Sequence, residues 1–247
     1  MSLYIYAFTD RSVPVTREGL DGAEISWIDG ESIAVAVSAA PSGTIRPRRK
    51  LLAAHQGVVA EIASQTDTLP AAFGLVCDER DHLETLIESE RDAVLTQLRR
   101  VGGCVEMSLS VGWDVENPFA HMRELDEELR ELGDELARLG DGAPHALKVR
   151  VGRRVERLLH DRHLHIAELF DASVAPHCRE ITTREGAAET ELFGATMLVG
   201  RDEIASLESG VEELARELDE SYVIGFKGPF APHSFVDLQL SFDGAVV

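Results

Sequence analysis

Between Cys104 and Leu139 the spacing of apolar residues changes once, and that change limits the folds open to this chain. Over Cys104–Trp113, CVEMSLSVGW, the residues Val105, Met107, Leu109 and Val111 alternate with polar or small ones, the pattern of a strand with one buried face. From Asn117 the apolar positions become Phe119, Met122, Leu125, Leu129, Leu132, Leu136 and Leu139, three or four apart, as on a coiled-coil-like seam. A turn at 140–144, GDGAP, leads into a second helical segment running from His145 towards Phe170, so a helical hairpin is predicted over 117–170. Strands are predicted over Arg179–Thr183 and Glu191–Val199, with Arg184-Glu185-Gly186 in the turn between them. A helix over Asp202–Leu218, apolar along Ile204, Leu207, Val211 and Leu214, then leads to a last core strand over Ser221–Phe226. Residues 103–228 therefore read strand, helices, strand, strand, helix, strand. That is the order of a ferredoxin-like βαββαβ unit with an enlarged first crossover.

The first hundred residues carry a related but altered order. Leu3–Phe8 is a short apolar and aromatic strand, and Glu24–Ile28 and Ser32–Ala39 flank Asp29-Gly30, a hairpin signal. A helix opening at 46–50 carries Leu51, Leu52, Val58, Val59, Ile62 and Ala63 as its apolar stripe. Leu69–Cys77 reads as one buried strand with Gly74 inside it, where glycine marks a bulge or close backbone approach. Asp78 is the expected N-cap of a helix carrying Leu83, Leu86, Ile87, Val94, Leu95 and Leu98 on one face and ending at Gly102-Gly103. The predicted class is α+β with two domains. An N-terminal, modified ferredoxin-like domain covers 1–112; a C-terminal ferredoxin-like domain covers 113–247, with the helical hairpin 117–170 inserted and a tail at 228–247. The pattern leaves open which domain holds the strand at 104–113.

That tail begins with GPFAPHSF, Gly228–Phe235. Pro229 and Pro232 lack an N–H and restrict Gly228 and Ala231 to extended geometry. The segment is a stiff, aromatic, donor-poor elbow, expected to anchor Phe230 and Phe235 against a fixed surface. From Val236 an alternating pattern predicts a short edge strand.

Charge excludes some partners. The 44 acidic residues against 24 basic give a net charge of -20, which argues against nucleic acid and an anionic lipid surface. The opposed charges of the predicted hairpin arms are notable: 114–141 holds ten acidic and three basic residues, whereas Lys148, Arg150, Arg153, Arg154, Arg157 and Arg162 dominate 144–162. Three cysteines without C-x-x-C spacing predict no disulfide framework and a reducing cytoplasm. Neither a signal peptide nor a membrane-length apolar run is expected.

No catalytic motif emerges: there is no G-x-G-x-x-G, P-loop, H-E-x-x-H or G-x-S-x-G. His160 and His163 are spaced to share a metal on one helical face, but no further ligand has complementary spacing. Solvated helix histidines are the expectation, with no metal and no cofactor. His177-Cys178 is a poor nucleophile pair because adjacent residues rarely present side chains together.

Five segments in order resemble one family, the gas vesicle accessory proteins F and L. They are the opening strand LYIYAF, the segment LPAAFGLVCDERDHLETLI, the strand VEMSLSVGW, the stretch ATMLVGRDEI and the closing GPFAPHSF. Family members carry LPxRFG and GPWPPYSF, so Ala72 stands in place of an arginine, and Phe230, Ala231 and His233 in place of Trp, Pro and Tyr. The resemblance implies a non-enzymatic accessory or minor structural protein of gas vesicles, located at the vesicle or in the cytoplasm. Its implied partners are the major shell protein and other accessory proteins. The structural or interaction residues then expected are Phe73, Gly74, Gly228, Pro229, Phe230, Pro232, Ser234 and Phe235. The alternative from another class is an enzyme or small-ligand sensor on the same scaffold, since ferredoxin-like modules host many functions.

Overall fold

The computed structural model describes residues 2–186, 190–238, 241–242 and 245–246. It is a mixed helix and sheet structure with two antiparallel sheets of five and four strands, beside a two-stranded pairing of Ser241–Phe242 with Ala245–Val246. Contacts divide the chain into two compact units, one made of Met1–Glu106 with Gly228–Val247, the other of Met107–Lys227. A boundary at 112/113 with the tail in the second domain is thus not where the contacts divide. The strand at 104–113 is split after Glu106, and the tail joins the first unit because Ala231 enters that unit's core.

In the first unit the central strand is β1 (Leu3–Thr9), buried from Tyr4 onward. On one side it pairs with β3 (Ala34–Ala39), which pairs in turn with β2 (Ser26–Asp29). On the other side it pairs with two short strands, β4 (Thr68–Pro70) and β5 (Val76–Cys77). The single strand expected over Leu69–Cys77 is therefore broken. The chain loops out between its halves, where Gly74 adopts φ +93, a region that disfavours side chains with a Cβ. Helix α1 (Arg49–Ala63) lays His55, Val58, Val59 and Ile62 against Tyr4 and Tyr6.

The single helix expected after Asp78 is two: α2 (Arg80–Ser89) and α3 (Arg91–Val101), parted at Glu90 with φ -99 and ψ 10. Ser89 Oγ donates to the Leu86 carbonyl at 3.1 Å, a local bond of the kind that competes with helix continuation. Asp78 is not the N-cap; its carboxylate instead accepts from Ser2 Oγ at 3.3 Å.

The second sheet has the order β7–β8–β6–β9, where β6 is Cys104–Trp113, β7 Glu180–Glu185, β8 Glu191–Gly200 and β9 Tyr222–Phe230. Strand β7 runs through Arg184 and Glu185, the first two residues of the expected turn. The expected helical hairpin has a broken first arm: α4 (Pro118–Leu125) and α5 (Glu127–Leu139) precede α6 (His145–Ser173). The break is at Asp126, whose extended backbone makes it the N-cap of α5; its carboxylate accepts from Leu129 N at 2.7 Å. Leu129 and Leu132 are buried, whereas Leu125 and Leu139 at the ends of the seam are exposed. Helix α7 (Ile204–Arg216) buries Leu207 and Leu214. Of the edge strand expected from Val236, residues 236–238 are not in a strand, residues 239 and 240 lie outside the described residues, and Ser241–Phe242 is a strand.

Candidate interaction site at the junction of two motifs

The loop LPAAFG, 69–74, is held by the first strand and first helix through buried polar groups. Tyr4 Oη lies 2.9 Å from His55 Nδ1 and accepts from Gly74 N–H at 3.1 Å. His55 Nε2 lies 3.1 Å from the Ala71 carbonyl. A carbonyl only accepts, so Nε2 carries the proton, Nδ1 accepts from the tyrosine, and every polar atom of the trio is used. Ala71 N–H also donates to the Tyr6 carbonyl at 2.9 Å, and Ile5 N–H to the Leu75 carbonyl at 3.0 Å. Phe73 closes the cluster, its ring edge-on to Tyr4 at 6.2 Å and to His55 at 5.8 Å.

These groups are held neutral. Burial pushes the Tyr4 phenol up to about 12, against the Gly74 hydrogen bond, and raises Tyr6 as well. Burial pulls His55 down to about 4, against the hydrogen bond to Ala71 and with a smaller push from His233.

The closing motif reaches the same core. Strand β9 continues through Gly228, Pro229 and Phe230, with Gly228 at φ 140 and a cis bond to Pro229. Pro232, at φ -78 and ψ 58, forms an inverse γ-turn in which His233 N–H donates to the Ala231 carbonyl at 2.8 Å. The turn buries Ala231 in the cluster of Tyr4, Tyr6, Val58 and Ile62, and Phe73 packs against that cluster. Ser234 then uses both its donors on Glu106 of the VEMSLSVGW strand, N–H at 2.7 Å and Oγ at 3.1 Å. Phe235 is buried.

Of the residues expected to act together, Phe73 and Gly74 and the segment Pro232–Phe235 thus belong to one assembly within the first unit. Phe230 departs from expectation. It was expected to be an anchor, yet it is 46% exposed, as its neighbours Gly228 and Pro229 are exposed. It still lies on β9, before the γ-turn, whereas the residues that reach the core follow it. Ala231, Glu106, Tyr4 and His55 carry the junction without having been singled out by sequence. For His55 a signal existed: it falls on the apolar stripe of α1, three residues before Val58. Glu106 gave none, since an outward glutamate on an alternating strand is ordinary.

Beside the junction lies a cleft of about 250 Å³, lined by Leu69, Pro70, Ala72, Leu75, His233 and Val236 among others. Desolvation of the imidazole against the cleft lowers His233 from the ordinary value, an effect that Glu106 opposes. The lining is largely aliphatic, and the nearby titratable pair Tyr4–His55 is spent on internal bonds. Among the described residues no group of three His, Cys, Asp or Glu side chains is placed to hold a metal ion. His163 instead places Nδ1 3.1 Å from the Leu192 carbonyl, and His160 lies 3.4 Å from Glu185. No helix is long and apolar enough to cross a membrane among the described residues.

Residues 2–237 match the model of a family described as gas vesicle synthesis protein GvpL/GvpF. Gas vesicle protein F of a Streptomyces species is 26% identical over 96% of this chain and 100% of its own length. Gas vesicle protein F of Dolichospermum flosaquae is 24% identical over 96% of this chain and 98% of its own. The crystal structure of GvpF from Anabaena sp. PCC7120 superposes with a TM-score of 0.82 at 21% identity, covering 96% of this chain and 98% of that one. That of GvpF from Microcystis aeruginosa gives 0.79 at 19% identity, covering 96% and 99%. At such identity the superpositions speak for the fold, while the match across nearly the whole length speaks for kinship: the chain belongs to the GvpL/GvpF family of gas vesicle proteins.

Proposed function

We propose that this gas vesicle protein assists vesicle assembly through protein–protein contacts with the major shell protein and other accessory proteins, as a contact protein rather than a catalyst. The observation that carries the reading is the junction of the two motifs. It leaves Phe230 exposed and a largely aliphatic cleft open beside His233, while the polar groups beneath are consumed in internal hydrogen bonds. An exposed ring and an apolar depression suit a partner's side chains better than a reacting substrate. In this reading Pro232, Ser234, Phe235, Phe73 and Gly74 hold the surface in place, and Gly228, Pro229 and Phe230 present it. The chain works at the gas vesicle or in the cytoplasm around it.

The same reading assigns each unit an α+β domain, modified ferredoxin-like in the first and ferredoxin-like in the second. The strand order β7–β8–β6–β9 with helical crossovers supports the second assignment. The test is a pull-down of the shell protein and of each accessory protein by wild-type chain and by Phe230→Ala. Loss of one or more partners with unchanged melting supports the reading; retention of every partner removes the junction as the contact surface.

A further inference from the structure

In the sheet of order β7–β8–β6–β9, strand β7 is at the edge and pairs among the described residues only with β8. Every residue of β7 after Glu180 is exposed, Ile181 included at 37%. Helix α6 packs on β8, with Phe170 against Phe193 at 5.1 Å, and leaves β7 open. The outer row of N–H and C=O groups on such an edge is a template for another strand. The opposite edge, β9, is blunted by Lys227 and Pro229, whereas β7 has neither lysine nor proline.

What fits this edge is written in its side chains. Residues 179–185 read REITTRE, and Arg179 N–H extends the pairing to β8 by donating to the Leu198 carbonyl at 2.8 Å. Reversing the segment puts a glutamate opposite each arginine and an arginine opposite each glutamate. An antiparallel second copy centred on Thr182 therefore sets Arg179 against Glu185 and Glu180 against Arg184, each twice, with the two Thr182 side chains at the two-fold axis. Each opposed pair differs by an even number of residues, so its members share one face of the joined sheet. Ile181 then meets Thr183 of the second copy directly and the other Ile181 diagonally. Moving the centre by one residue either way removes all four arginine–glutamate pairs. We infer that β7 is a self-association edge, across which two copies of this chain pair antiparallel about Thr182 and join their four-stranded sheets.

The contact does not depend on the partner surface proposed above. The net charge of -20 opposes the approach of any second copy, but that repulsion is spread over the surface and screened beyond about 8 Å at 0.15 M salt. The segment itself, with two arginines and two glutamates, is neutral. Arg184 and Glu185 also have partners within the chain: Arg184 rests over Gly194 and reaches Glu191 at 2.6 Å, and Glu185 lies 3.4 Å from His160. Such exposed contacts are weak, and a guanidinium has five N–H donors to share. The charges thus fix register and partner, while backbone bonds and Ile181 supply the affinity.

The test is sedimentation velocity of the full chain at about 0.15 M salt, with loading raised to about 300 µM. A contact of six residues per strand is small, so the expected dissociation constant is on the order of 10–100 µM. Two charge-inverted chains are compared, Arg179→Glu/Arg184→Glu and Glu180→Arg/Glu185→Arg. Each alone should dimerise at least about ten-fold more weakly, because like charges then oppose each other. Their equal mixture should dimerise at least as tightly as wild type. Thr182→Cys should be joined into a covalent dimer by a short thiol cross-linker, and Val223→Cys on β9 far less, over the background that wild type gives from its own three cysteines. If an inverted chain melts early, the cross-linking pair alone decides. The proposal is overturned if wild type stays monomeric throughout, as it would if β7 receives a strand of another protein instead. It is equally overturned if the inverted chains dimerise like wild type, if their mixture does not dimerise, or if Val223→Cys cross-links as well as Thr182→Cys.

Discussion

At the scale of single residues the two phenylalanines of the closing motif make opposite predictions. Phe235 is 4% exposed and Phe230 46%. Phe235→Ala should cost about 3–5 kcal/mol, the usual loss for emptying a buried ring site. Phe230→Ala should stay within about 0.5 kcal/mol of wild type in a melt, and its loss should be read in partner binding. Equal destabilisation by both would place Phe230 in the core after all. His55 gives a pH prediction. Its folded pKa of about 4 lies below the ordinary imidazole value, so the unfolded chain takes up the proton first. Stability is therefore full above about pH 6.5 and falls as pH drops towards 4, by about 3 kcal/mol in all. Tyr4 and Tyr6, which face His55, stay neutral throughout. Urea midpoints between pH 7 and pH 4.5 should decline steeply in wild type and more shallowly in His55→Gln. Parallel curves would remove His55 as the cause. These pairings were legible only in part: the motif told that Gly228–Phe235 was structured, but burial of Ala231 rather than Phe230 depends on where the γ-turn falls, which proline spacing alone does not fix.

At the scale of elements, periodicity located nearly every helix and strand but missed the interruptions. Glu90, Asp126 and Gly74 each break an element whose apolar spacing runs on unbroken, because the spacing records which face is buried and not whether the backbone stays regular. Asp126 was the most readable of the three, an N-cap residue followed directly by Glu127 and Glu128 in the first turn. The bond to Arg154 holds its carboxyl below the usual range and makes the cap part of the α5–α6 contact. Asp126→Ala should accordingly cost about 2–3 kcal/mol, combining a lost cap with a weakened pairing of Arg154. Asp126→Asn keeps the cap and should recover about half. If the two variants melt alike, the cap contributes nothing and the ion pair carries the whole effect. Within α6, Gly152 is exposed and an added Cβ would meet nothing within 4 Å. Gly152→Ala should stabilise the chain by about 0.5–1 kcal/mol. A loss of stability would show that the helix needs a glycine there.

At the scale of the whole molecule, the return of the C-terminal segment to the first unit is what the sequence order concealed. Strand β9 was expected to close the second domain and carry the tail with it. Instead the division falls after Lys227, and Ala231, Ser234 and Phe235 complete the core and surface of the unit that began at the N-terminus. Sequence periodicity has no term for such a return, since a buried alanine and a γ-turn look the same whichever core receives them. The consequence can be measured, because the chain has two tryptophans and each unit holds one. Trp27, in the first unit, donates Nε1–H to the Val13 carbonyl at 3.0 Å, while Trp113, in the second, is buried against the His121 ring at 5.1 Å. With Trp113→Phe the remaining fluorescence reports the first unit, and with Trp27→Phe the second. Truncation after Lys227 removes Ala231 and Phe235 from the first unit's core and frees Glu106 from Ser234. It should lower the unfolding midpoint read by Trp27 well beyond that read by Trp113, because the second unit keeps its sheet order β7–β8–β6–β9 up to residue 227. Equal shifts at the two tryptophans would mean that the units unfold as one body, and a larger shift at Trp113 would assign the tail to the second unit, against the contacts it makes here.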